Sequence, residues 1–495
     1  MKLSRRNFIS TSTATALGLT IVPSYVMGGA LGHKAPSDKL NIAGIGIGGK
    51  GAANLATMTT ENIIALCDVD WDYAKNTFEK YPNAKRYWDY RKMFDEMGKD
   101  IDAVMIATPD HTHAIIAADA IVMGKHVFCQ KPLTHSVYES RLLTQLARKY
   151  EVATQMGNQG NSSPEVRTIQ EWIANGEIGE VMEAHAWTNR PLWPQGQSRP
   201  AEEMKVPDTL NWDLFIGPAP MRPYHRAYHP WDWRGWWDFG TGALGDMACH
   251  ILDPIYSALE LGYPTEVEGS STAINTDGAP QAEIVEYTFP TRKSSGKIKM
   301  PEVKVTWYDG GLMPRRPKEL ADGQPLMADN MGACLFVGTK DKLMCNLGGI
   351  NPRLLSGRKP NVPETLRRIP GYKVGGIQDK PHAQDWIRAC KESSESRIQP
   401  TANFDYAGPF NEMVVMGVLA VRLQALERIL KWDGKNMRFT NISDTDELPV
   451  TTIGEYTVKD GHPSLSTKSV NLNAKKTVEE FIKHNYRKGW ALPTL

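Results

Sequence analysis

Leu40-Asn-Ile-Ala-Gly-Ile-Gly-Ile-Gly-Gly-Lys-Gly51 is the stretch whose reading decides the fold. Its apolar start, Leu40 to Ala43, reads as a buried strand, and Ala52 to Met58 begins a helix. Between them lies G-x-G-x-x-G, formed by Gly44, Gly46 and Gly49. In such a turn Gly44 permits the tight bend, Gly46 lets the backbone approach a pyrophosphate, and Gly49 lets helix and strand pack closely. The helix start offers free N–H groups and a positive dipole end to phosphates. Alone the motif is a weak signal, since many glycine clusters are only turns in a plain strand–turn–helix. A second apolar run, Ile63 to Cys67, ends in Asp68. That is about 20 residues beyond the glycines, where a carboxylate takes ribose hydroxyls. No arginine follows Asp68 directly and a carboxylate repels a 2′-phosphate, so the pattern favours NAD over NADP.

A chain of 495 residues exceeds what one core usually supports, so two domains are expected. Lys+Arg is 57 against Asp+Glu 56, so charge calls for neither nucleic acid nor an acidic membrane surface. The six cysteines form no C-x-x-C pair, and Cys67 and Cys129 sit in apolar runs as buried thiols. Ser4-Arg5-Arg6-Asn7-Phe8-Ile9, the apolar stretch Ala14 to Val22 and the small residues Gly28 to Ala30 resemble a twin-arginine export signal. The apolar stretch is too short for a stable membrane span. Residues 1–30 are therefore set apart as a signal, and a periplasmic or otherwise exported protein is expected. That route carries folded proteins, so the nucleotide should travel with the chain, tightly held and recycled in place.

Strand-like and helical patterns alternate through the first domain, residues 38–157. Helices are expected over Asp70–Lys80, Tyr90–Gly98, Ala114–Met123 and Ser136–Tyr150. The strand Ile101–Ala107 runs into Thr108-Pro109-Asp110-His111-Thr112-His113. The strand His126–Cys129 runs into Gln130-Lys131-Pro132, and Val152–Met156 is one more strand. This alternation predicts a doubly wound parallel sheet, in which ligands sit at strand carboxyl ends. The glycine loop, Asp68, Thr108–His113 and Gln130–Pro132 all fall there.

With these motifs the chain, from residue 38 to about 430, resembles the Gfo/Idh/MocA family of oxidoreductases. The resemblance rests on the glycine loop, T-P-x-x-x-H at Thr108 to His113, G-K-H-V at Gly124 to Val127, and Gln130-Lys131-Pro132 at the family's E-K-P position. The family usually has glutamate where Gln130 stands, and the amide can still bond a ribose. The resemblance implies that Thr108, Pro109, His113 and Gln130 serve the cofactor and that Lys131 contacts the reacting hydroxyl. It also implies a homo-oligomer.

The second domain, 158–430, is expected to be α+β with a large, mostly antiparallel sheet, followed by an extension over 431–495. A helix is expected over Pro164–Asn175, and strands over Glu283–Phe289, Val303–Tyr308, Cys334–Gly338 and Lys342–Asn346. In the alternating run Glu180–Arg190, His185, Trp187 and Asn189 share one face. Tyr224 to Trp237 is dense in aromatic and histidine residues. Some of these rings must be core. Others suit the C–H faces of sugars, and His185, Trp187, Tyr228 and Trp237 are the substrate candidates. Asp246 and His250, at i and i+4, lie on one helix face near its start. Spacing alone favours a capping aspartate and a core histidine. The family's D-x-G-x-H pattern, matched here except for Ala248, implies that His250 is the acid/base residue. Helices are expected over His382–Lys391 and Phe410–Lys431, with His382 either facing the cleft or capping. Residues 435–495 read as loops with a short helix at Val478–Asn485.

The expected activity is NAD-dependent oxidation of a secondary hydroxyl on a sugar, glycoside or cyclitol. His250 would be the base, Lys131 the alkoxide stabiliser, and Asp246 the residue that holds His250. The rival is a redox-neutral glycosidase or lyase that oxidises transiently, eliminates and re-reduces, with Tyr228, His225 and His229 as further acid/base groups. A third reading is nucleotide binding without catalysis. His111-x-His113, Glu183-x-His185 and His225-x-x-x-His229 have ligand-like spacings, but such pairs arise by chance and no metal is assigned.

Overall fold

The computed structural model describes residues 38–327 and 331–495. The export signal proposed for residues 1–30 lies outside the described residues.

The first domain is built on β1 (Asn41–Ile45), β2 (Asn62–Cys67), β3 (Lys85–Tyr87), β4 (Ala103–Ile106), β5 (His126–Cys129) and β6 (Thr154–Met156). They pair in parallel in the order β3-β2-β1-β4-β5-β6. Crossover helices α1 (Gly49–Thr57), α2 (Lys75–Lys80), α3 (Tyr90–Met97), α4 (Asp110–Val122) and α5 (Val137–Lys149) connect the strands. Ala103, Val104, Met105 and Ile106 of β4 are all fully buried, as a strand covered on both faces requires. The strand order reverses beside β1, so the loops after β1 and β4 diverge and open a crevice at their carboxyl ends.

Local chemistry moves two helix starts. α2 begins five residues later than expected because Asp70 Oδ1 accepts the N–H groups of Asp72 and Tyr73, holding a turn. α4 begins earlier, at Asp110, with Pro109 extended ahead of it and the Asp110 carboxyl in its first turn. α5 starts on a capping box made by Ser136 and Glu139.

The second domain carries α6 (Pro164–Ala174), β7 (Val181–Trp187), α7 (Trp212–Ile216), α8 (Gly242–Ile251) and α9 (Asp253–Ala258). β8 (Glu266–Ser271), β9 (Glu283–Phe289), β10 (Arg292–Ser295), β11 (Ile298–Met300), β12 (Val303–Tyr308), β13 (Ala333–Gly338), β14 (Lys342–Asn346) and β15 (Arg353–Leu354) follow. α10 (Asp379–Cys390), α11 (Phe404–Arg422), β16 (Leu430–Asp433) and β17 (Arg438–Phe439) complete it. Nine strands form one sheet in the order β15-β14-β13-β7-β12-β9-β8-β16-β17, antiparallel except for the central β7–β12 pair.

Three expectations change. α10 lies within the range assigned to the second domain, yet its Ala383, Trp386 and Ile387 share a core with Leu55 and Phe128 of the first. His382 on α10 is fully buried between Ser162 Oγ (2.6 Å) and the Met156 carbonyl (2.8 Å), so it does not face the crevice. The extension is not mainly loops. β18 (Glu447–Lys459) and β19 (His462–Asn473) form a hairpin turned at Asp460-Gly461, both at positive φ, before α12 (Ala474–Ile482). Among the described residues no helix is long and apolar enough to cross a membrane.

Candidate active site

The glycine loop keeps its motif but redistributes its tasks. Gly46 makes the bend, at φ +72°, and a Cβ there would lie 2.7 Å from the Thr108 nitrogen. The β1 and β4 loops therefore touch at this point. Gly44 is the packing glycine, because a Cβ would lie 2.9 Å from Ile47 and 3.0 Å from Leu55. Gly51 lies in the first turn of α1, where a Cβ has no room because it would fall 1.9 Å from the Gly46 carbonyl oxygen. Gly49 sits at φ +44° beside the Tyr73 hydroxyl rather than against the strand. No side chain caps the start of α1, which leaves its first N–H groups for an outside acceptor.

Asp68 ends β2 facing this loop. Its Oδ2 accepts the Ile47 and Gly48 N–H groups (2.8 and 3.1 Å) and its Oδ1 accepts that of Asp70 (2.9 Å). Burial raises its pKa against the pull of those bonds. The loop, Asp68, Thr108, Pro109 and Gln130 line one crevice of about 330 Å³. Gln130 Nε2 donates to Asn54 Oδ1 at 2.8 Å, so the amide is tied beneath the loop. The bare helix start and the glycine cradle with Asp68 at its edge suit a dinucleotide. His113 is placed differently from its expected cofactor role. Its two ring nitrogens face the Pro132 and Thr108 carbonyls, each at 2.8 Å, and the single N–H of the neutral ring donates to one of them, behind the two loops. Burial lowers its pKa to about 4.

At the inner end of the crevice the two domains meet. Lys131 Nζ donates to Asp246 Oδ1 (2.6 Å) and to the Asp246 carbonyl (2.8 Å). Arg234 Nε approaches the same carboxylate oxygen at 3.4 Å. These two cations hold the Asp246 pKa well below the usual carboxylate range despite burial. Asp246 is the fifth residue of α8, past the first turn, and it engages Lys131 rather than holding His250. His250, one turn further on, lines the crevice too. Its Nδ1 is buried without a hydrogen-bond partner. Burial first, and then the Lys131 charge, bring its pKa to about 3, so the imidazole is neutral. Asp110, bonded by Thr241 Oγ1 at 2.7 Å, is pushed by burial up to about 7.

A segment of the second domain roofs the crevice. Trp71 and Asn211 exchange backbone bonds with Thr209 and Val69 (2.9 and 2.8 Å), and His229 Nε2 pairs with Asp70 Oδ2 at 2.7 Å. Beyond this latch, the Arg234 guanidinium lies 4.0 and 4.2 Å from the ring centres of Trp231 and Trp233. Trp231 remains 50% exposed at the mouth.

The four substrate candidates are not brought to this crevice. Trp187 is fully buried against Leu320, Leu335 and Met344. His185 bonds Glu183 (2.8 Å) and Tyr308 (3.2 Å) on the sheet. Tyr228 packs among Trp212, Trp236 and Phe239. Trp237 lines a separate cavity. For Trp187 and Tyr228 the core reading wins. The crevice instead takes Trp231, Trp233, Arg234, His229 and Tyr73. The tryptophans belong to the aromatic run already singled out, whereas Tyr73 carries no sequence signal. The metal-like spacings also dissolve. Both ring nitrogens of His111 face the carbonyls of Phe239 and Phe215 (3.2 and 3.0 Å), and His225 accepts the Ala227 N–H. Among the described residues no three His, Cys, Asp or Glu side chains converge as a metal site.

Comparison with known proteins agrees with this architecture. A profile described as an oxidoreductase family with an NAD-binding Rossmann fold matches residues 39–158. The companion profile, the family's C-terminal alpha/beta domain, matches residues 165–292. Levoglucosan dehydrogenase of Pseudarthrobacter phenanthrenivorans is 28% identical over 165 residues, 33% of this chain and 34% of that protein. Inositol 2-dehydrogenase of Salmonella paratyphi B is 30% identical over 151 residues, 30% of this chain and 44% of that protein. The chain thus spans less than half the length of these relatives. The WlbA dehydrogenase of Bordetella pertussis, solved in complex with NADH and UDP-GlcNAcA, superposes with a TM-score of 0.53 at 13% identity, covering 80% of this chain and 99% of that one. At that identity the likeness is one of fold. With both domains matched in order, and with an NAD-binding Rossmann domain at its start, the chain belongs to the Gfo/Idh/MocA family of oxidoreductases.

Proposed function

We propose that the protein oxidises a secondary hydroxyl of a sugar, glycoside or cyclitol, with Lys131 and His250 as the catalytic residues. The observation that carries this is the meeting, in one crevice with the glycine loop, of an ammonium and an unprotonated imidazole from different domains. An ammonium has three donors, and two of those on Lys131 are taken by Asp246. The third is free for the reacting oxygen, where it stabilises the developing alkoxide. His250 accepts the hydroxyl proton, and Asp246 positions Lys131. When bound, NAD supplies the hydride acceptor. The hydrogen on the alcohol carbon departs as hydride with the C–H bonding pair, the O–H proton goes to His250, and a carbonyl forms. Trp231 offers the sugar a flat apolar face at the mouth.

The redox-neutral course uses the same first step and differs in what accumulates. A panel of glycosides, free sugars and cyclitols, followed by NADH absorbance and by product analysis, tests the proposal. Stoichiometric NADH with a keto product supports it. Aglycone release without net NADH replaces it with the glycosidase or lyase reading. Neither product from any hydroxylated substrate rejects both.

The export reading is also a proposal. It rests on Ser4 to Ala30 and holds that the folded protein leaves with NAD trapped under the roof latched by His229 and Asp70. Purified exported protein should carry close to one nucleotide per chain. Recovery of nucleotide-free exported protein would contradict it.

A further inference from the structure

A second cavity, of about 220 Å³, lies behind the catalytic loops. Asp110 and His111 are consecutive on α4, yet Asp110 lines the crevice and His111 lines this cavity. Its other walls include His135, Trp237, Arg422, Phe481 and His484. Two of these groups have hydrogen-bonding capacity that the fold leaves unused. Trp237 is only 4% exposed and its indole N–H has no partner. Arg422, in the last turn of α11, stacks its guanidinium 3.4 Å from the Phe481 ring centre and 5.3 Å from that of Trp237. Among the described residues it has no hydrogen bond or ion pair. Every other charged group at this wall has its own partner or faces solvent. Asp238 is paired with Arg222, and its charge is also felt by Arg422, though the two make no ion pair among the described residues. Glu139 accepts the N–H groups of His135 and Ser136 and the Tyr486 hydroxyl. Glu480 is exposed. The two imidazoles satisfy each other, His135 Nδ1 to His484 Nδ1 at 3.1 Å, and burial beside Arg422 keeps His484 uncharged, with its pKa near about 3.

A planar cation stacked between aromatic rings, with its donors free and an indole N–H beside it, is suited to an anion that accepts in a plane. The walls beyond it, Phe481, Pro218 and Pro220, are apolar. We propose that this cavity binds a small organic oxyanion, whose carboxylate or phosphate takes the Arg422 guanidinium and the Trp237 N–H and whose body lies on Phe481. The site is distinct from the substrate crevice. An occupant would touch the loop that carries Lys131 through His135, whose Nε2 bonds the Gly240 carbonyl at 3.1 Å.

Calorimetric titration of the NAD-saturated full chain tests this, since saturation keeps the probes off the glycine loop. The probes are propionate, its neutral isostere propionamide, and inorganic phosphate, at constant ionic strength. Saturable binding of propionate or phosphate, but not of propionamide, is expected. The tighter of the two identifies whether the natural ligand presents a carboxylate or a phosphate. Trp237→Phe keeps the ring and removes one N–H, and should weaken binding by at least about tenfold. Arg422→Lys keeps the charge and loses the fork, and should weaken it similarly. Arg422→Met should abolish it. Equal binding of propionamide, unchanged binding in Trp237→Phe and Arg422→Lys, or no binding to the wild-type chain would each overturn the proposal.

Discussion

Two parts of the crevice wall use polar residues in opposite ways. In the first, the loops after β4 and β5, side-chain valence is consumed by the chain itself. His113 and His111 each sit between two main-chain carbonyls with their one N–H given to one of them, and Gln130 is tied to Asn54. In the second, where α8 meets Lys131, valence is left over. His250 Nδ1 has no partner, and Lys131 and Arg234 converge on one carboxylate. Both regions are rich in histidine, and both sit at strand ends or helix faces that a sequence reader marks as functional. In this crevice, then, the polar groups bonded by their own chain act as scaffold, whereas the spare acceptor of His250 and the paired cations lie where a ligand can meet them.

The sharpest break would come from Asp246→Ala. It leaves Lys131 and Arg234 without their shared counter-charge and leaves the ammonium held only by the main-chain carbonyl of residue 246. A fall in kcat/KM of roughly 10²–10³-fold is expected, with NAD affinity little changed. Steady-state kinetics with separate NAD titration checks it, and a loss below about threefold would erase the contrast. Next in size, His113→Leu should cost about 1–3 kcal/mol of stability, because a buried carbonyl loses its donor. His250→Leu should cost less than about 1 kcal/mol, since no bond is lost. Chemical denaturation of both variants orders them, and the reverse order would contradict the scaffold assignment.

A smaller effect distinguishes Asp110. Burial pushes its carboxyl up to about 7 from the ordinary 3.8, so between those pH values the folded state holds a proton that the unfolded state has released. The stability it contributes is therefore full below pH 3.8 and is lost as pH rises toward 7. Asp110→Asn should gain melting temperature relative to wild type at pH 8 compared with pH 4. An equal difference at both pH values would show that this carboxyl does not titrate there. Smallest of all, Trp231→Ala should raise KM for a sugar by about fivefold through lost stacking, with kcat within about twofold. An unchanged KM would remove the ring from the substrate face.

The same distinction explains what could be read from residues alone. The parallel sheet was legible because apolar runs, glycines and polar strand ends recur at βα spacing. That Lys131, Asp246 and His250 come together in one crevice was legible because they sit in motifs. The partner of Asp246 was not, since i,i+4 spacing pointed to His250 while the contact that formed links residues 115 apart in the chain. Likewise the aromatic run announced itself, but which rings face the crevice depends on how residues 207–236 fold back over β2. Tyr228 and Trp237 turn away from the crevice, whereas Trp233 lines it while buried and Trp231 lines it half exposed. The hairpin of the extension was readable in principle, because Asp460-Gly461 is a two-residue turn signal between alternating stretches.

The account stands on Lys131 and His250 acting on one substrate oxygen. Its most direct test is turnover of the full chain with Lys131→Met and His250→Ala, on whichever hydroxylated substrate the wild type oxidises, with bound NAD measured in parallel. The account predicts that each variant binds NAD as the wild type does and loses at least about 100-fold in kcat. Turnover within about tenfold of wild type in both variants would contradict it.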